Sequence, residues 1–223
     1  MAVQTGEGTV DIIFHTASVP AGPRTLGGYI SRPDGVGQWP TAMVFGPKPK
    51  PTSAIKNICR VFSRHGIAAF APDLTESASR NHSIAKAVAA FLQNPSGVWS
   101  NAQLGFGVVA FGKGLADAAA LAAADPKVDA WVAIGSSLDD VSVDNLADSD
   151  SEGLVILSRA DASTDTEAAV RRKDEIPKTT FVFYPTGDEG FWNDAADGYD
   201  DNRATDSLDR SIAFLLAQLP PRV

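Results

Sequence analysis

Apolar runs of strand length alternate with helix-length segments along most of this 223-residue chain. That order restricts the available folds more than any other feature. TAMVFG (41–46), IAAFAPD (67–73), FGVVAF (106–111), VDAWVAIGS (128–136), GLVILSR (153–159) and TTFVFYP (179–185) read as short buried strands. The intervening segment SAIKNICRVFSRHG (53–66) places Ile55, Ile58, Cys59 and Phe62 at helical spacing, with Gly66 as a stop. SIAKAVAAFLQN (83–94), KGLADAAALAAAD (113–125), TEAAVRRKDE (166–175) and ATDSLDRSIAFLLAQL (204–219) are the other predicted helices. Before them, VDIIFHTA (10–17) and LGGYISRP (26–33), separated by Pro20, Gly22 and Pro23, predict an antiparallel pair. No repeat and no linker divides the chain. The expectation is one α/β domain over residues 1–223, with a mostly parallel sheet covered by helices on both faces. Functional groups in such folds gather at the carboxyl ends of the strands. Here those ends are the loops after Gly46, Asp73, Phe111, Ser136, Arg159 and Pro185.

Charge narrows the range of partners. The formal net charge is -8, which weighs against nucleic acid and against an anionic membrane surface, since both need clustered Lys and Arg. Aspartate supplies most of the acid, 21 Asp to 6 Glu, much of it in SLDDVSVDNLADSDSE and NDAADGYDDN. Asp suits turns and helix caps, and DAADGYDD does not have the spacing of an EF-hand loop. No metal and no cofactor is expected. Cys59 is the one cysteine, so no intrachain disulfide can form, and its place on an apolar helix face predicts an inert core thiol. MAVQTGEGTVDIIF lacks the basic and apolar regions of a signal peptide, and no apolar run approaches the ~20 residues that span a bilayer. A cytoplasmic location is expected.

The segment LGFGVVAFGKGLADAAALAAAD reads as strand, sharp turn, helix. Many hydrolases carry their nucleophile at such a turn, in the pattern G-x-S-x-G or its cysteine counterpart. The central position here is Gly112, which has no side chain, between the small residues Ala110 and Gly114. The central residue of such a turn sits at unfavourable backbone angles. Glycine reaches them without a Cβ penalty.

Six segments, GYISRPDG, IKNICRVFSRHGIAAFAPDL, GVVAFGKG, DPKVDAWVAIGSS, LSRAD and FVFYPTGDEGFWN, follow one another between about Gly28 and Leu219. In that order the chain resembles the dienelactone hydrolase family of α/β-hydrolases. The resemblance implies the α/β-hydrolase fold and maps the family's Ser/Cys–His–Asp triad onto Gly112, Glu189 and Asp161. Gly112 stands at the nucleophile position. Glu189, in Glu189-Gly190-Phe191, stands where the family has His. Asp161 matches the triad aspartate. The family's His-Glu pair after the first parallel strand falls near Gly46-Pro47, where neither residue is present.

Without oxygen or sulfur at the turn no acyl-enzyme can form there, and without imidazole no group shuttles the nucleophile's proton. Of the three histidines, His15 lies on the first hairpin strand and His65 ends a helix away from the carboxyl-end loops. His82 follows the second parallel strand, nearest the expected pocket. Lys113 opens the helix after the turn, where the dipole disfavours a cation unless an anion compensates and free N–H groups attract anions. GPKPKPTS brings Lys48 and Lys50 to the same rim. Lys48, Lys113, Phe191 and Trp192 are therefore the pocket candidates. The competing reading pairs Lys113 with Asp161 or Glu189, or leaves it in solvent, and packs Phe191 and Trp192 under the last helix. The leading expectation is a pseudoenzyme that binds a small anionic or carbonyl-bearing molecule, or a protein partner, without covalent hydrolysis. One alternative is an ester or lactone hydrolase in which Asp161 and Glu189 share a proton and activate water. A structural or assembly role is the third.

Overall fold

A computed structural model describes residues 8–21, 24–94, 99–158 and 170–223, apart from the side chains of Arg24 and Glu189. Its eight strands are β1 (Ile12–Ala21), β2 (Arg24–Pro33), β3 (Thr41–Phe45), β4 (Ala68–Pro72), β5 (Phe106–Phe111), β6 (Val128–Ile134), β7 (Glu152–Ser158) and β8 (Thr179–Tyr184). They form one sheet in the order β1-β2-β4-β3-β5-β6-β7-β8. β1 and β2 pair antiparallel in register from Ile12 opposite Pro33 to Ala21 opposite Arg24, and β2 joins β4 antiparallel. All remaining pairs, from β4–β3 to β7–β8, are parallel. This is the expected α/β architecture, and β3 and β5, both buried along their whole length, lie at its centre.

Five helices are described: α1 (Ser53–Arg64), α2 (Ala78–Leu92), α3 (Leu115–Ala124), α4 (Asp140–Ala147) and α5 (Asp201–Gln218). The two faces of the sheet bury separate cores. α2, α3 and α4 pack Ile84, Val88, Leu115, Leu121, Val143 and Leu146 on one face. α1 and α5 pack Ile55, Ile58, Phe62, Leu208, Ile212 and Leu215 on the other. Thr52 caps α1, its hydroxyl accepting from the Ile55 N–H, and Gly66 closes it at φ +86, a left-handed stop that glycine supplies.

Three elements depart from the sequence-based expectation. α2 begins at Ala78 rather than Ser83, because Asn81 organises the turn before it. The Asn81 carboxamide oxygen accepts from the Thr75 N–H at 2.8 Å, and its nitrogen donates to the Thr75 carbonyl at 3.1 Å. α4 falls in an aspartate-rich stretch read as solvated loop. Asp139 caps it, accepting from the Ser142 N–H at 2.8 Å, while Val143 and Leu146 enter the core. α5 gains a turn at its start, where Asp200 accepts from the Arg203 N–H at 3.1 Å. The predicted helix 166–175 lies largely outside the described residues. No helix among the described residues is long and apolar enough to cross a membrane.

Candidate functional site

The site is built on the turn between β5 and α3. Phe111 ends the strand in extended conformation, and Gly112 then turns at φ +54 into a 3-10 turn over Gly112–Gly114 that runs into α3. That left-handed angle is the one at which a side chain costs of order 1–3 kcal/mol. The elbow packs against the chain that follows β3 and β6. A Cβ on Gly114 would stand 2.4 Å from the Phe45 carbonyl oxygen and 2.9 Å from that of Gly46. Gly114 therefore lets α3 start in contact with the end of β3. A Cβ on Gly112 meets nothing closer than Pro47 Cβ at 3.5 Å and the Gly135 carbonyl oxygen at 3.9 Å. A side chain there would thus begin in ordinary van der Waals contact and not in a clash, and the backbone angle explains why glycine occupies the position without strain.

The walls come from the neighbouring strands. β3 and β6 flank β5, with Phe45 opposite Ala110 and Phe111 opposite Ile134. Their following residues, Gly46-Pro47 and Gly135-Ser136, border the elbow. Gly135 also turns at positive φ, +55, and the buried Ser136 hydroxyl donates to the Ile134 carbonyl at 3.2 Å. In α/β-hydrolases the oxyanion hole takes one N–H from the residue after the nucleophile and one from the loop after this central strand. Pro47, which follows β3 and stands 3.5 Å from the Gly112 Cβ position, has no N–H to give. That absence follows from the sequence, but its bearing on the site depends on the 3.5 Å approach.

The loop after β8 carries the Glu189 position. Gly187 turns at φ +109. The Ser158 hydroxyl, at the end of β7, donates to the Gly187 carbonyl. Arg203 on α5 donates to the Thr186 hydroxyl and pairs with Asp200 at 3.2 Å. These bonds tie the loop to β7 and α5. Glu189 opens a 3-10 turn over Glu189–Trp192, but its side chain lies outside the described set, as does the whole of Asp161.

Phe191 and Trp192 sit in the core on the α1/α5 face, 0% and 8% exposed. Trp192 packs 4.8 Å from the Phe111 ring, directly under the elbow, and Phe191 meets Tyr184 edge-on at 5.4 Å. Lys48, Lys50 and Lys113 are exposed, and no ion pair of Lys113 occurs among the described residues. α3 has no side-chain cap on its first turn. His15 is exposed on β1, the His65 Nδ1–H donates to the Val61 carbonyl at 2.9 Å at the end of α1, and His82 is half-buried on α2. Cys59 is fully buried and burial pushes its thiol up to about 12, so it is no nucleophile. No group of three or more metal-ligating side chains occurs among the described residues.

One polar contact that the sequence did not suggest lies beside the elbow. Asn81 donates to Asp117, in the first turn of α3, at 3.3 Å. Burial pushes the Asp117 carboxyl above its ordinary range, and the Asn81 bond only partly opposes this.

No protein-family model and no curated protein matches the sequence. Solved structures do match its fold. A Klebsiella pneumoniae subsp. pneumoniae MGH 78578 protein assigned as a dienelactone hydrolase superposes with a TM-score of 0.81 at 20% identity, over 92% of this chain and 98% of that one. The chain has the dienelactone hydrolase fold. The dienelactone hydrolase of Anabaena variabilis ATCC 29413 gives 0.74 at 16% identity, over 94% and 99% of the two chains. A dienelactone hydrolase-like promiscuous phosphotriesterase from metagenomic libraries gives 0.75 at 14%, also over 94% and 99%. The likeness extends over almost the whole of each relative, so the elbow described above lies within the shared fold.

Proposed function

We propose that this dienelactone hydrolase-like chain binds a small anionic or carbonyl-bearing molecule at the elbow and does not hydrolyse it through a covalent intermediate. The observation that carries this reading is Gly112 itself. The turn keeps its left-handed angle and its packing through Gly114, and a side chain at Gly112 would begin in ordinary contact with Pro47 and Gly135 rather than in a clash, yet no nucleophilic atom is there. Pro47 beside it removes a potential N–H from the oxyanion hole. The positive end of the α3 dipole and the rim lysines Lys48 and Lys113 favour a negatively charged or polarised ligand. Trp192 packs against Phe111 at the end of the strand that enters the turn.

The test is hydrolysis of dienelactone and activated esters by the purified protein, beside the double variant Asp161→Ala/Glu189→Ala. Turnover no greater than the double variant's, together with thermal stabilisation by small carboxylates, supports the binding role. Turnover abolished in the double variant replaces it with a hydrolase in which Asp161 and Glu189 activate water. Neither turnover nor stabilisation by any carboxylate points to a structural or assembly role.

A further inference from the structure

The sheet ends on one side in β1. β1 pairs with β2 over all ten residues, Ile12–Ala21, without a register shift. Its other side meets no strand among the described residues. Strands usually run about 5–6 residues, and natural edge strands are kept short, charged, bulged or interrupted by proline to stop pairing with other chains. β1 has no Asp, Glu, Lys or Arg, and its one proline, Pro20, sits next to its end. That leaves Ile12–Val19 unbroken. Phe14, His15, Thr16 and Ser18 along it are exposed, Phe14 to 49%.

We propose that β1 is a self-association edge, where two copies of this chain join their sheets antiparallel about a two-fold axis. The occupant is identified by charge and by backbone. At a net charge of -8, two copies repel over most of their surface. β1 is a long, regular element whose close approach to its own copy sets no like charges opposite one another. The same strand on both sides of a two-fold gives a closed contact. Ile12, Ile13, Phe14, Thr16 and Val19 are the residue types that favour cross-strand pairing. Phe14 is held in place for such a contact. The Arg60 guanidinium lies 5.1 Å from the centre of its ring, and Arg60 in turn donates to the Tyr29 hydroxyl at 2.9 Å. The opposite edge, β8, has six residues and offers a shorter ladder. The elbow on β5 lies four strands in from β1, about 19 Å at the usual strand spacing, so this association leaves the site open and stands independently of the binding role.

The experiment is mass by light scattering and sedimentation on the full chain, from micromolar to submillimolar concentration. Hydrogen exchange across β1 is followed over the same range. The expected result is twice the 23.4 kDa chain mass at high concentration, with Ile12–Val19 amides gaining protection as the dimer forms. Thr16→Lys, a charge on an exposed edge position, should return the protein to monomer, with the melting temperature that the parent shows at dilutions where it is itself monomeric. A monomer throughout overturns the proposal. So does a dimer that survives both Thr16→Lys and Ser18→Lys, or open-ended oligomers in place of a dimer. Protection of β1 in the monomer, lost on deleting residues 1–7, would assign the edge to this chain's own N-terminus and overturn it equally.

Discussion

Pro47 Cβ stands 3.5 Å from the point where a side chain on Gly112 would begin, an ordinary van der Waals contact. Space therefore does not exclude a nucleophile from the elbow, whereas the backbone angle makes one costly. Gly112→Ser should fold, at a stability loss of about 1–3 kcal/mol for a side chain at positive φ. It should not become an efficient esterase, because no histidine stands at the Glu189 position. Chemical denaturation measures the first effect and ester hydrolysis the second. Efficient turnover by the single variant would show that Glu189 serves as a base.

Gly114 has the opposite limit. Its φ of -64 suits any residue, but a Cβ there would lie 2.4 Å from the Phe45 carbonyl oxygen, which is backbone and cannot swing aside. Gly114→Ala must part α3 from the end of β3, at about 1–3 kcal/mol or more for overpacking. Gly112→Ala carries only the conformational cost. A denaturation midpoint for Gly114→Ala at or above that of Gly112→Ala would show that the elbow yields more easily than its packing implies.

The strand–turn–helix of the elbow was legible because each part has a local cause: a continuous apolar run, glycines at the turn, and an alanine-rich helix. The alternation of elements likewise carried the fold class. α4 was not legible because its stretch holds few apolar residues among many aspartates, and its existence depends on the Asp139 cap and on the core that receives Val143 and Leu146. Phe191 and Trp192 could not be assigned from sequence, since an aromatic pair after a strand suits a pocket and a core equally. Their burial, with Trp192 against Phe111 and Phe191 against Tyr184, comes with α5 folding back onto the sheet. The Asn81–Asp117 bond joins residues 36 apart through the packing of α2 beside α3, which no local pattern encodes.

Lys113 is exposed at the start of α3 without an ion pair among the described residues. If the elbow takes a carboxylate, Lys113→Glu reverses a charge at its rim and should weaken small carboxylates by roughly tenfold at low salt, the range of a helix-end charge effect. The loss should shrink as salt is added. Ligand-induced shifts in melting temperature measure it. Equal shifts in both proteins would remove Lys113 from the site.

Asp117 ties stability to pH with a sign opposite to that of most carboxylates. Burial raises its carboxyl in the folded protein, while in the unfolded chain it ionises near the ordinary value, about 4. Below that pH both states hold the proton and the residue makes no pH-dependent contribution. As pH rises through the unfolded value, the unfolded chain releases its proton first, so stability falls until the folded carboxyl also ionises; above that the penalty is constant. Asp117→Asn cannot ionise, and its carboxamide oxygen can still accept from Asn81. The variant should match the parent in acid and be more stable at neutral pH, with the gap opening just above pH ~4. Asn81→Ala should instead destabilise at every pH, by about 1–3 kcal/mol, because it leaves the Thr75 N–H and carbonyl without their partner. Denaturation curves collected across pH separate the two. A gap between parent and Asp117→Asn that stays constant from acid to neutral would mean that the Asp117 carboxyl is not raised by its burial.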